Sequence, residues 1–291
     1  LVISASHNLF EDNGIKFFNK DGQKFSSELE KRIETKLTQE MIGVESINLG
    51  KAARMSDAQG RYIEFCKSSF TDLDLNGLSI LLDCANGATY SVAPKVFSEL
   101  GANIETIGAS PDGININQNC GSTSPNALKE AIIKGSYDIG IAFDGDGDRI
   151  LIVTSDGDIL DGDDILYILS KEIPANSGVV GTLMTNKALE LYFQNEGIEF
   201  SRADVGDKYV LQRLIERSWV LGGEPSGHII CLDSAPTGDA IVAALKFLNA
   251  TKDKGFSVQK SLEGFKKFPQ TLINLKVNNP NKIIISDKFW E

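Results

Sequence analysis

Three aspartates alternate with glycine in Asp144-Gly145-Asp146-Gly147-Asp148-Arg149, directly after the apolar run Ile139–Phe143. Like charges this close repel unless a cation joins them. Carboxylate oxygens with glycine freedom between them suit a hard divalent ion such as Mg²⁺ or Ca²⁺. An EF-hand loop also opens with alternating acids, but counting from Asp144 it would need glycine where Arg149 stands and glutamate where Ser155 stands. The competing reading is a polar turn of solvated acids. The apolar run reads as a buried parallel strand, which puts the acids on a turn at its C-terminal end. Open α/β sheets bind ligands at that edge.

Three more polar loops could carry chemistry. Ser4-Ala5-Ser6-His7-Asn8 sets a serine beside a histidine, as a nucleophile and base would stand. It has no acid near it and no G-x-S-x-G elbow, so a serine-rich turn or helix cap competes. Asn13-Gly14-Ile15-Lys16 predicts a turn that brings Lys16 back toward the serine, although a lone lysine is usually a solvated charge. Gly222-Gly223-Glu224-Pro225-Ser226-Gly227-His228 carries an acid, a hydroxyl and an imidazole at alternate positions. In an extended segment these share one face and could bind the hydroxyls of a sugar, whereas a histidine in a glycine loop is commonly structural. In Val205-Gly206-Asp207-Lys208-Tyr209, Asp207 reads as a helix N-cap.

The elements that must position these loops alternate strand and helix. Strands are predicted at 78–83, 103–107, 139–143, 178–182, 199–202, 219–222 and 228–231, with helices at 26–37, 54–65, 92–100, 125–134, 187–195, 208–217 and 239–248. This is the pattern of βαβ units and a mainly parallel sheet. Residues 150–153 and 158–160 flank Ser155-Asp156-Gly157, a hairpin turn. Turn-rich breaks fall near 71–76 and 174–177.

With 291 residues, 42% of them hydrophobic, the chain can bury two or three domain cores. A formal charge of −11 argues against nucleic acid, which needs clustered Lys and Arg. It leaves room for a phosphorylated substrate, because charge in a cleft can differ from net charge. Four cysteines without a C-x-x-C pair and only two histidines argue against a zinc site and for free thiols in a reducing cytoplasm. No stretch approaches the roughly 18 apolar residues of a membrane span, so no membrane partner is expected. The chain opens inside an apolar strand and stops after an apolar run, without an initiator Met, a basic leader or a cleavage site. It reads as a piece of a longer protein.

Taken in order, these loops resemble the α-D-phosphohexomutase superfamily. Residues 4–8 resemble its phosphoserine loop, 144–149 its magnesium loop and 224–228 its sugar-recognition loop, with 13–16 and 206–208 between them. Gly60-Arg61-Tyr62-Ile63-Glu64-Phe65-Cys66-Lys67, Asp83-Cys84-Ala85-Asn86-Gly87-Ala88-Thr89-Tyr90, Pro111-Asp112-Gly113-Ile114-Asn115-Ile116-Asn117 and Val205-Gly206-Asp207-Lys208-Tyr209-Val210 resemble its bacterial phosphoglucosamine mutase branch. Leu9 departs from the pattern, where the loop often has proline.

The resemblance implies consecutive α/β domains with mixed, mainly parallel sheets around a central cleft. Residues 1–70 would end a first domain, 71–175 and 176–272 would form a second and third, and 273–291 would lead toward a fourth that grips the substrate phosphate. It further implies an isomerase that interconverts glucosamine 6-phosphate and glucosamine 1-phosphate. In this reading Ser6 carries a phosphoryl group, and glucosamine 1,6-bisphosphate is the intermediate. Ser6, Asp144, Asp146 and Asp148 would hold one Mg²⁺. Arg149 would neutralise the phosphoryl group, Lys16 would shuttle a proton if the pocket lowers its pKa, and His7 would support the loop or assist. Glu224, Ser226, His228, Asp207 and Lys208 would bind the sugar phosphate. A homodimer is compatible with this reading. The rivals are a phosphomannomutase or phosphoglucomutase, a catalytically incomplete sugar-phosphate-binding fragment, and a magnesium-dependent phosphatase with Asp144 as nucleophile.

Overall fold

A computed structural model describes residues 1–20, 22 and 24–271, so the proposed link at 273–291 lies outside the described residues. The chain begins with strands β1 (Val2–Ser4) and β2 (Gly14–Lys16), an antiparallel pair that sets Val2 opposite Lys16. Lys16 is therefore brought back by a strand, where the sequence suggests a turn. Helices α1 (Ser27–Leu37) and α2 (Ala58–Ser68) follow. No residue of α1 is buried, whereas α2 buries Ile63 and Cys66. These two apolar positions, with Asp57 preceding the helix, set α2 later than the predicted 54–65.

The next stretch forms β3 (Ser79–Asp83), α3 (Ala93–Glu99), β4 (Asn103–Ile107), α4 (Asn126–Lys134), β5 (Ile139–Phe143), β6 (Ile150–Thr154) and β7 (Ile159–Leu160). They make a five-stranded sheet in the order β4-β3-β5-β6-β7, parallel across β4, β3 and β5 and antiparallel from β5 onward. Every residue of β5 is buried. Ile139, Ile141 and Phe143 enter the main core, while Ala142 packs with Leu81, Val153 and the α4 residues Leu128 and Ile132. Burial on both faces explains the unbroken apolar run.

The third stretch forms α5 (Gly162–Leu169), β8 (Val179–Thr182), α6 (Lys187–Glu196), β9 (Phe200–Ala203), α7 (Asp207–Arg217), β10 (Leu221–Gly223), β11 (Ile229–Cys231), α8 (Ala240–Thr251) and α9 (Val258–Ser261). Its sheet runs β11-β10-β8-β9, parallel in the middle with an antiparallel edge. Helix α5 is not expected from the sequence: its acids Asp163 and Asp164 sit together in the first turn, and the rest, residues 165–169, is an unbroken buried apolar run too short to display a helical period. Asp161 opens it with a capping box to Asp164.

Both sheets reverse direction in the middle. From β3 the chain steps out to β4 and returns to the other side at β5; from β8 it steps out to β9 and returns at β10. Each reversal opens a crevice at the C-terminal ends of two parallel strands. The acid turn follows β5, and the 224–228 loop follows β10. No helix among the described residues is long and apolar enough to cross a membrane.

Candidate active site

The acid turn is folded by its own first residue. Asp144 is fully buried, and its Oδ1 accepts hydrogen bonds from the backbone nitrogens of Gly147, Asp148 and Arg149 at 3.1, 3.0 and 3.1 Å. Gly147 sits at φ 75°, a conformation open to glycine. Asp144 Oδ2, Asp146 Oδ1 and Asp148 Oδ1 are buried without a hydrogen-bond partner among the described residues. Ligand oxygens of the three acids lie within 4.8 Å of one another. Burial, with Asp148 and Asp146 alongside, pushes the Asp144 carboxyl up to about 8. Burial also opposes ionisation of Asp148, but His228, Lys16 and Arg149 outweigh it and hold that carboxyl below its ordinary range. Orphaned lone pairs on three clustered carboxylates fit a hard divalent cation, so these residues can hold one.

Ser6 is fastened to this turn. The Gly145 nitrogen donates to Ser6 O at 3.1 Å, and Asn117 Nδ2 donates to the same oxygen at 2.8 Å. The approach is so close that a Cβ on Gly145 would stand 2.5 Å from Ser6 O. Ser6 itself takes φ 54°, uncommon for a residue with a side chain. Lys16 Nζ is hydrogen-bonded to Asp146 Oδ2 and lies 3.8 Å from Asp148 Oδ2. Burial alone would lower its pKa, but the Asp146 bond and the surrounding acids raise it. The lowered pKa that proton shuttling by Lys16 requires is thus not what this arrangement produces. His7 shifts downward through burial and the Arg149 charge, and its Nδ1 is buried without a partner among the described residues.

A cavity of about 390 Å³ opens between Ser6, Lys16 and Arg149 on one side and Glu224, Ser226 and His228 on the other. That is within the size range of small-ligand sites. Thr182, the last residue of β8, and Met184 just beyond it complete the wall beside Val205, Gly206 and Asp207. The 224–228 segment is not the extended strand that alternate spacing suggests. Gly227 N donates to Glu224 O at 3.0 Å and Glu224 N to His228 O at 3.1 Å, so a tight turn gathers the three side chains at the cavity. The turn is hung on its surroundings by Gly227 O, which accepts from Ile150 N at 3.0 Å, and Pro225 O, which accepts from Gly162 N at 3.1 Å. Glu224 Oε1 accepts from Gly206 N at 2.9 Å. His228 Nδ1 stands 3.6 Å from Asp148 Oδ1, and its Nε2 stands 3.9 Å from Asp207 Oδ2.

Asp207 is not the N-cap that its sequence context suggests. Gly206, at φ 126°, holds that position, and Asp207 begins the helix with its carboxylate bonded to Lys24 Nζ. Burial resists ionisation of Asp207, yet Lys24 and His228 lower its pKa. Lys208 is exposed, with its ammonium 5.0 Å from the Tyr209 ring centroid, and it lines a separate groove beside Leu211. The cavity wall also contains Lys24, which sequence reasoning passed over because one lysine in a polar stretch carries no signal.

Fold and site together define an α/β protein in which two switch-point crevices face one cavity lined by Asp148 of the acid turn, Ser6 and the cations Lys16, Lys24 and Arg149. Family models described as phosphoglucomutase/phosphomannomutase alpha/beta/alpha domains I, II and III match residues 1–42, 60–157 and 161–268. The chain belongs to this family, within the α-D-phosphohexomutase superfamily. It is 54% identical to a phosphoglucosamine mutase of Legionella pneumophila (strain Corby), over 96% of this chain and 62% of that protein. It is also 54% identical to one of Pseudomonas entomophila (strain L48), over 100% of this chain and 68% of that protein. The chain thus spans less than two thirds of the Legionella relative's length. Its fold is similar to that of the Aspergillus fumigatus N-acetylphosphoglucosamine mutase, with a TM-score of 0.74 at 17% identity over 98% of this chain and 76% of that one. A phosphoglucomutase/phosphomannomutase family protein from Burkholderia thailandensis gives a TM-score of 0.67 at 24% identity, over 88% of this chain and 58% of that one.

Proposed function

We propose that the protein is a phosphoglucosamine mutase, interconverting glucosamine 6-phosphate and glucosamine 1-phosphate. The observation that carries this reading is the hydrogen bond from Gly145 N to Ser6 O, which joins a serine loop to a cluster of cation-ready acids. The names of the 54% identical relatives favour the glucosamine sugar.

Ser6 bears the phosphoryl group in the resting enzyme. In the first transfer the bond from Ser6 Oγ to phosphorus breaks as a sugar hydroxyl oxygen bonds to phosphorus, and the hydroxyl proton leaves to a base. The resulting glucosamine 1,6-bisphosphate turns over in the cavity and returns its other phosphoryl group to Ser6. Such reactions depend mainly on positioning and charge neutralisation. Asp144, Asp146 and Asp148 would hold Mg²⁺, which when bound supplies positive charge to the phosphoryl oxygens. Arg149 offers a fork of donors to the same group. Lys16 can act as the proton shuttle once it leaves its pair with Asp146; His7, whose Nδ1 has no partner among the described residues, is the second candidate base. Glu224, Ser226 and His228 read the sugar hydroxyls, with Asp207 behind His228. The four buried, unpaired cysteines suit a reducing compartment, and we place the protein in the cytoplasm.

The test compares turnover of glucosamine 1-phosphate, mannose 1-phosphate and glucose 1-phosphate with Mg²⁺ and a trace of the matching bisphosphate. Preference for the glucosamine compound is expected. Preference for mannose or glucose would keep the chemistry and overturn the sugar. Phosphate mapped to Asp144 instead of Ser6 would overturn the mechanism.

A further inference from the structure

The Pro111-Asp112-Gly113-Ile114-Asn115-Ile116-Asn117 segment has no part in the chemistry above, yet it is built with unusual internal bonding. Asp112 Oδ1 accepts from Ile114 N and Asn115 N, both at 2.9 Å, and Asn115 Oδ1 accepts from Asp112 N at 3.0 Å. Asn115 Nδ2 donates to Ser110 O at 3.0 Å, while Ser110 N donates to Asn86 Oδ1 at 3.0 Å. Asn117 N donates to Ala85 O at 2.8 Å, which ties the end of the segment to the turn after β3. The loop is a stiff bracket, and Asn117 is its tip.

Asn117 is 5% exposed and lies at φ 57°, a backbone state that asparagine tolerates better than most residues. Its Nδ2 donates to Ser6 O at 2.8 Å and to Asn8 O at 2.7 Å. Both amide protons are therefore spent on the two carbonyls that flank His7. Its Oδ1 is buried without a partner among the described residues, a cost that the other end of the amide must offset. Ser6 is held at φ 54°, where a serine does not rest without outside support.

We propose that Asn117 is a positioning residue for phosphoryl transfer. It pins the backbone on both sides of His7 and keeps Ser6 in its left-handed conformation, so that the hydroxyl is aimed before substrate arrives. This rests on the reading of Ser6 as the phosphoryl carrier. It explains why a loop remote in sequence belongs to the site: it sets the angle of attack and contacts no substrate.

The test uses Asn117→Asp and Asn117→Gly. Aspartate keeps the shape and tolerates the backbone but loses the N–H donors; glycine keeps the backbone and loses the whole amide. Single-turnover transfer of labelled phosphate from glucosamine 1,6-bisphosphate to Ser6 is expected to slow roughly 10- to 100-fold in both, the scale of a small misplacement of reacting groups. Mg²⁺ affinity by calorimetry and the sugar-phosphate KM should stay within about twofold of the parent protein. Asn117→Asp should regain rate as pH falls and its carboxyl gains an O–H donor, whereas Asn117→Gly should not. Parent-like transfer in both variants, or slowing matched by an equal loss of Mg²⁺ affinity, overturns the positioning role. A parent protein that takes no label on Ser6 overturns the phosphoserine reading, and this inference with it.

Discussion

The Tyr62 hydroxyl reaches both carboxylate oxygens of Asp239, at 3.0 and 2.9 Å, and so ties α2 to the start of α8. Asp239 also caps α8 through Ile241 N and Val242 N, and the neighbouring Ala240 N donates to Gly147 O at 3.0 Å. Three distant segments therefore meet at the back of the acid turn. Burial and the Asp239 charge hold the Tyr62 phenol well above its ordinary pKa, so it remains a donor throughout the working pH range.

Tyr62→Phe removes that donor and leaves a buried carboxylate short of one partner. The expected loss of folding stability is about 1–3 kcal/mol, measured by urea denaturation with an unchanged slope. A change below about 0.5 kcal/mol would show that the hydroxyl has no structural role.

Gly145→Ala puts a methyl group 2.5 Å from Ser6 O, 2.6 Å from Ile116 Cδ1 and 2.8 Å from Asn117 Nδ2. Backbone cannot yield here without parting the serine loop from the acid turn. Phosphate transfer to Ser6 should fall by roughly 100-fold while circular dichroism stays unchanged. A variant with parent-like transfer would show that the two loops need not touch.

Asp146→Asn removes charge from the acid cluster and weakens the pairing of Lys16. Mg²⁺ affinity, followed by calorimetry, should fall at least about tenfold. Unchanged affinity would mean that the cation binds elsewhere.

Asp163 gives a pH signature remote from the chemistry. It is 2% exposed, Oδ2 accepts from Asn186 N, and Oδ1 has no partner among the described residues. Burial, with Asp161 and Asp164 nearby, pushes its carboxyl up to about 7, although Asn186 and Lys267 oppose the rise. A carboxyl with a raised folded pKa binds its proton more tightly folded than unfolded. Its stabilising contribution is full below the ordinary aspartate value of 3.8 and is lost as pH rises through about 7. Asp163→Asn should flatten the fall in stability between those limits, by an amount on the order of a few kcal/mol. Denaturation midpoints across that window provide the check, and parallel profiles for parent and variant would refute it.

The acid turn was legible because three like charges beside an unbroken apolar run leave few alternatives. The central strand β5 was legible for the same reason: alternate residues enter two different cores, so the run carries no polar residue. What stayed hidden depends on contact between distant residues. Nothing near Asn117 in sequence announces that its amide serves carbonyls 111 and 109 positions away. The alternation of Glu224, Ser226 and His228 pointed to the right residues through the wrong geometry, because glycine at 227 permits a turn at φ 88° that periodicity cannot foresee. Gly206 concealed the start of α7 in the same way, so a capping role fell to Asp207 that its neighbour fills.

The hairpin that carries Ser6 buries almost nothing: both strands are largely exposed, with Ile3 at 68% and Ile15 at 58%. Its hold on the rest of the chain near Ser6 comes from donors on Asn117 and Gly145, not from an apolar interior. Such a segment can peel away while the five-stranded sheet stays intact. Amide hydrogens of residues 2–16 should therefore exchange through local opening far faster than those of β5, and a ligand bridging the cavity should slow the first set and leave the second alone.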